Sequence, residues 1–380
     1  MIKQLFPYGK PVVGKDLIDR KDIISEITYN VRGGQSVILA SPRRYGKSSV
    51  ILESLNQLKK EGYLVGYIDL FEKTSLAEVA EGLVEAVLSN ETNRARDVLG
   101  MAKRNLSDFV KNVQFKTLWE DYEIILSFGS KEIDESKLID DALDFPQKLA
   151  SKKNKKLILA IDEFGELTDL NSQMIKRMRA KFQRHDRVTY IFSGSQESLM
   201  KKLFTSKAEA FYGFGKMLTL NPLPAKELVD YLTRTFKKGG FKAPREVCSL
   251  IAEKTKHHPH FTKILSQSIL DLALQNKITT INKKLVDDGF KLALLRIKGE
   301  LDSEWIVLSK ATLQKKILKF LAHEKGKIYA KDSFSDADRS QLYFAISELE
   351  RKGILRKEGR GKYAFINPFF PEYIRLLKNL

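Results

Sequence analysis

The chain has 380 residues, 43% of them hydrophobic, which is enough apolar material for two or three domains with their own cores and too much for a disordered chain. Its single cysteine, Cys248, excludes a disulfide framework and a multi-cysteine zinc site, and no run reaches the roughly 20 apolar residues that a membrane helix needs. A formal charge of +18 favours an acidic partner, with nucleic acid the commonest, although lysine-rich sequences from thermophiles carry similar charge without one.

Residues 1–14 hold Pro7, Gly9, Pro11 and Gly14 and read as an irregular arm without the apolar length of a signal peptide, so the cytoplasm is the expected compartment. Asp19 is placed to cap a helix whose apolar face runs through Ile27. Val37 to Ala40 is a short apolar run of the kind buried on both faces of a parallel sheet. It leads into Ser41, Pro42, Arg43, Arg44, Tyr45, Gly46, Lys47, Ser48 and Ser49, after which Val50, Ile51, Leu55 and Leu58 recur with helical period. The stretch reads as a phosphate-binding loop in which Ser41 stands where the pattern has its first glycine; the plainer alternative is a chance lysine-serine turn. Backbone N–H groups from Arg44 to Ser48 would cradle phosphates, Lys47 would neutralise the β- and γ-phosphates, and the Ser48 hydroxyl would meet Mg²⁺.

A second buried strand, residues 63–70, carries Asp69 near its end. Residues 75–153 read as a mostly helical insertion, amphipathic over 76–88 and 98–113, with an acidic patch over 134–141 and a basic one over 152–156. The apolar strand 157–161 then ends in Asp162-Glu163, the form of a Walker B element: Asp162 would hold Mg²⁺ and Glu163 would activate the attacking water. Neighbouring strand side chains point to opposite faces, so the pair requires the strand to break at Glu163, which Phe164-Gly165 allows. The plainer alternative is a capping Asp-Glu at a strand end. After a basic helix over 172–184, the strand 188–192 ends in Ser193-Gly194-Ser195, whose hydroxyls could bind a γ-phosphate or its attacking water, or could form a turn. A short fifth strand, 217–220, precedes Pro222 and Pro224.

Residues 225–298 are helical in pattern and include His257-His258-Pro259-His260, either a loop contact with nucleotide or, less in keeping with the missing fourth ligand, a metal site. From about Leu308 the order is helix, helix, helix, ribbon. The third helix, residues 339–352, stops at Gly353, and a hairpin with a glycine-basic tip follows, which is the pattern of a winged helix-turn-helix. Arg351, Lys352, Arg356, Lys357, Arg360 and Lys362 cluster at the helix end and in the wing, where they could follow a DNA backbone; Glu348 and Glu350 on the same helix favour a protein-docking module instead.

Taken together, Leu17-Ile18-Asp19-Arg20, Ser41-Pro42-Arg43-Arg44-Tyr45-Gly46-Lys47-Ser48, Ile161-Asp162-Glu163 and Phe192-Ser193-Gly194-Ser195 resemble the archaeal-type P-loop ATPases allied to the AAA+ and STAND classes. The resemblance implies an α/β fold: a parallel-sheet ATPase core over residues 1–223, a helical lid over 224–305 and a winged helix over 306–380. It also implies Lys47 and Ser48 on phosphate and Mg²⁺, Asp162 and Glu163 as Walker B, Ser193 or Ser195 as first sensor, and Arg20 near the nucleotide. His257-His258-Pro259 looks like the family's Gly-x-Pro lid motif without its glycine, and Asp19 stands where the family often has glycine. The expected function is an Mg-dependent, ATP-hydrolysing switch that couples nucleotide state to a winged helix acting on DNA or a protein partner, in a protein that could form oligomers. A DNA-binding regulator that binds ATP but scarcely hydrolyses it is the alternative, against which Glu163 weighs. A small-molecule kinase would rarely carry a winged helix, and GTP specificity would call for an Asn-Lys-x-Asp run that is absent.

Overall fold

The computed structural model describes residues 4–88, 135–308, 311–323, 328 and 334–377. The expected amphipathic stretch over 98–113 and most of the segment before the helix Asp336–Arg351 lie outside the described residues. The chain divides into two compact units: residues 21–40 with 47–219, and residues 1–20 with 41–46 and 220–380.

The first of these is a five-stranded sheet with all its strand pairs parallel, in the order β2-β3-β4-β1-β5. The strands are β1 (Val37–Ala40), β2 (Leu64–Asp69), β3 (Leu157–Asp162), β4 (Val188–Gly194) and β5 (Lys216–Leu218). Every residue of β1, β3 and β4 is buried, as expected of runs without polar alternation in a sheet covered on both faces. The helices Leu76–Leu88, Glu135–Lys152 and Ser172–Phe182 bury Leu83, Leu143, Leu149 and Met178 with Ile68, Leu159 and Tyr190 of the sheet in one apolar cluster. The insertion therefore adds core to the sheet.

Strand order decides where chemistry can gather. Because β4 lies between β1 and β3, its C-terminal residues sit beside both of their ends: Leu39 pairs with Ser193, and Ile161 with Phe192. The carboxyl ends of the strands in an open parallel sheet are where ligands bind. The ends of β1 and β3 and the serines at the end of β4 consequently belong to one edge.

The second unit is helical. Its helices Ala225–Lys238, Arg245–Lys254, Pro259–Gln275, Lys283–Arg296, Lys298–Ile306, Thr312–His323 and Asp336–Arg351 precede an antiparallel hairpin of β6 (Leu355–Gly359) and β7 (Lys362–Phe365), and Phe370–Leu376 closes it. One apolar cluster runs from Phe6 and Ile18 through Phe236, Ile251 and Leu265 to Ile346 and Phe369. The helix Asp336–Arg351 ends as its sequence implies: Gly353 takes φ +70°, and the N–H of Ile354 returns to the carbonyl of Leu349 at 3.0 Å. Among the described residues no helix is long and apolar enough to cross a membrane.

Candidate active site

In the sheet unit, Lys47, Ser48, Asp162, Glu163, Ser193 and Ser195 form one connected group. Asp162 is 1% exposed, so its carboxylate depends on protein donors. Its Oδ1 accepts the Glu163 N–H at 3.0 Å and the Ser193 hydroxyl, while Oδ2 accepts the Ser48 hydroxyl at 2.6 Å and the Tyr67 hydroxyl at 2.8 Å. Burial, then the neighbouring Asp162 carboxylate, pushes the Tyr67 phenol far above its ordinary range, which keeps it a donor. Burial likewise raises the Asp69 carboxyl, which pairs in register with Asp162 across β2 and β3.

Glu163 does break the strand. It takes φ 50° and ψ 44°, in the left-handed region, and Phe164–Glu166 turns at once into a 3₁₀ helix. This turn lets two consecutive carboxylates serve one site. Glu163 Oε2 accepts the Ser195 backbone N–H at 2.9 Å, and Oε1 lies 3.8 Å from Nζ of Lys47, which is itself buried at 5% exposure. The two serines thus divide their work, Ser193 inside β4 through its hydroxyl on Asp162 and Ser195 just past the strand through its N–H on Glu163. The helix that Lys47 begins, Lys47–Lys60, follows Gly46 at φ +93°, a backbone state that suits glycine.

The loop residues before Gly46 are held within the helical unit. Ser41 is fully buried, and its hydroxyl accepts the N–H of Leu220 at 2.6 Å. Arg20, 9% exposed, donates to the Asn221 carbonyl at 2.8 Å and to the Tyr45 carbonyl at 3.2 Å; burial pulls its pKa below the usual guanidinium value. Arg44, at φ +67°, pairs with Glu300, while Pro42 is buried and Arg43 exposed. The Tyr45 ring lies 4.5 Å, edge on, from that of His258, and its hydroxyl accepts from Arg356 of β6 at 3.1 Å.

The geometry of the sheet unit is that of a P-loop hydrolase, and the sequence agrees. A model of an ATPase domain predominantly from Archaea matches residues 17–251. The chain belongs to this family of ATPases. In structure, the ATPase is similar to a Walker-type ATPase of Pyrococcus abyssi, with a TM-score of 0.68 at 16% identity, covering 98% of this chain and 99% of that one. It is also similar to the ORC2 protein of Aeropyrum pernix (TM-score 0.60, 11% identity, 99% and 97% covered) and to Cdc6p of Pyrobaculum aerophilum (TM-score 0.50, 13% identity, 99% and 97% covered). At these identities the likeness concerns the fold alone. No curated protein matches the ATPase in sequence.

The six basic residues at the end of the helix Asp336–Arg351 and in the β6–β7 hairpin are arranged unequally. Arg351 pairs with Glu348 at 2.8 Å, Lys352 Nζ reaches Gln314 at 3.0 Å, and Arg356 is held by Tyr45 and by Glu358 at 3.0 Å; Lys357, Arg360 and Lys362 are exposed. Sequence reasoning missed Tyr67, Glu300 and the Arg356 contact. For Tyr67 a signal existed: the two-residue period of β2 puts it on the same face as Asp69. For the other two, partners more than 250 positions apart leave no local pattern.

Proposed function

We propose that this ATPase hydrolyses ATP with Mg²⁺ and couples the nucleotide to a C-terminal winged helix that contacts DNA. The reading takes residues 1–223 as core, 224–305 as lid and 306–380 as winged helix. Its main support is the placement of Glu163, held by the Ser195 N–H on one oxygen and facing Lys47 with the other.

The donor set fits magnesium. Mg²⁺ takes hard oxygen ligands, and here a hydroxyl and a carboxylate oxygen stand 2.6 Å apart. Ser48 gives its proton to Asp162, so its lone pairs are available to a cation, while Asp162 supports it from behind. When bound, the ion would offset negative charge on the β- and γ-phosphates. Lys47 supplies a second positive charge, the N–H groups that open Lys47–Lys60 bind phosphate oxygens, and Glu163 orients the attacking water and takes its proton.

For DNA, the support is the exposed trio Lys357, Arg360 and Lys362 on a narrow ribbon, suited to phosphates more than to base edges. One observation favours a protein partner instead: Tyr343 and Phe344, on the helix Asp336–Arg351, are 69% and 70% exposed.

Lys47→Ala and Glu163→Gln test the hydrolytic reading with a labelled ATP analogue and a phosphate-release assay. The first variant should lose ATP binding; the second should keep it while hydrolysis slows roughly a hundredfold. Unchanged affinity in the first, or an unchanged rate in the second, refutes the assignment.

A further inference from the structure

The Asp162 carboxylate has a donor that the ATPase motifs do not account for. An ionised carboxylate offers about four acceptor positions. At Asp162 they are met by the Glu163 N–H and the hydroxyls of Ser193, Ser48 and Tyr67. The first three come from the Walker B turn, the sensor strand and the phosphate loop. Tyr67 comes from β2, which the motifs leave without a role.

Its reach follows from the sheet. Tyr67 pairs with Ala160 in the β2–β3 register, and Asp162 lies two residues further along β3 on the same face. Ala160 is small, and a tyrosine is long enough to span that diagonal and bring its hydroxyl to 2.8 Å from Oδ2. No shorter hydroxylated side chain at position 67 would cover the distance.

We propose that Tyr67 is a positioning residue for the cation site, setting the rotation of the Asp162 carboxylate so that Ser48 keeps donating to it and presents its lone pairs to the cation. With two donors on each oxygen the carboxylate is held against rotation. Without Tyr67, Oδ2 has the Ser48 proton alone and the group can turn about its Cβ–Cγ bond, which misdirects Ser48. Donors behind metal ligands typically matter tenfold or more to metal affinity. The proposal rests on the Mg²⁺ reading above.

Tyr67→Phe keeps the ring and removes only the hydroxyl. Binding of a fluorescent ATP analogue to the full chain is to be measured in EDTA and across an Mg²⁺ titration, for wild type and variant. The expected result is an Mg²⁺ midpoint raised about tenfold in the variant, with the EDTA affinity unchanged. An unchanged midpoint overturns the role of Tyr67. So does a parallel loss in EDTA and in Mg²⁺, since that marks general damage to the fold. If wild-type affinity ignores Mg²⁺ altogether, the reading of Ser48 and Asp162 as the metal pair fails first, a result distinct from the other two.

Discussion

Arg356 in the C-terminal hairpin donates to the hydroxyl of Tyr45 in the phosphate loop at 3.1 Å, across 311 positions of sequence. A side chain expected to lie on DNA is thus tied to a loop expected to lie on nucleotide. Arg356 also pairs with Glu358, which further occupies its charge.

This tie alters what a DNA titration should show. Each phosphate contact adds about one unit to the salt slope of binding. In nucleotide-free protein, Arg360→Ala with Lys362→Ala should lower the slope by about two on unrelated duplexes, Arg356→Ala should change it little, and Tyr45→Phe should raise it by up to about one. Fluorescence anisotropy across a salt series measures all three. Absence of binding at low salt, with and without ATP, would leave the protein-partner reading.

Ser41 invites a second experiment. Restoring the motif glycine, Ser41→Gly, should weaken the protein, because the Leu220 N–H would lose its buried acceptor and glycine adds backbone freedom to the unfolded chain. The expected loss is about 1.5–3 kcal/mol, read as a lower urea midpoint at unchanged slope.

At two other positions the opposite holds. Asp19 takes φ +38° and His257 φ +56°, the left-handed region that favours glycine, and each stands where the resemblance seen in the sequence would put a glycine. The conformation persists without the residue that makes it easy. His257→Gly should therefore stabilise by about 1 kcal/mol and Asp19→Gly by less, since aspartate tolerates this region better than histidine. Chemical denaturation of the two single variants checks both; destabilisation in both would mean that the side chains matter more than the backbone.

A fourth prediction concerns pH. Burial pushes the His185 imidazole down to about 4, with Asp144, Lys181 and Asp186 acting on it more weakly; its Nδ1 lies 2.6 Å from the Tyr190 hydroxyl. An unfolded histidine titrates near ~6.5, so what the neutral ring contributes is whole above that pH and is lost as pH falls towards the folded value. Glu304, pushed up to about 7 by burial and then by Glu300, acts in the other direction, losing its contribution as pH rises. The urea midpoint of His185→Gln should fall less between pH 7 and pH 4.5 than that of wild type. Parallel curves would show that His185 does not titrate between the two states.

What the sequence discloses depends on how local the cause is. Val37–Ala40 and Leu157–Asp162 are legible because a strand buried on both faces has no polar alternation, and the break at Glu163 because two adjacent carboxylates cannot otherwise share a face. Ser41 reads as a defect in the motif because the benefit, a bond to Leu220, lies 179 residues away. His257-His258-Pro259-His260 reads as a loop or a metal site because only the histidines catch the eye; Pro259 in fact opens the helix Pro259–Gln275, where its missing N–H has no cost.

The 3.8 Å pairing of Lys47 with Glu163 has a bearing on timing. An unpaired buried ammonium holds any anion that reaches it, and an unpaired carboxylate accepts a hydrogen bond from any water that does. Paired, each occupies the other. On the proposed hydrolytic reading, a phosphate that drew Lys47 towards itself would also release Glu163, so the base would be free only once there is something for the water to attack. The arrival of substrate and the arming of the hydrolytic group would then be one event, leaving an idle enzyme with nothing to restrain.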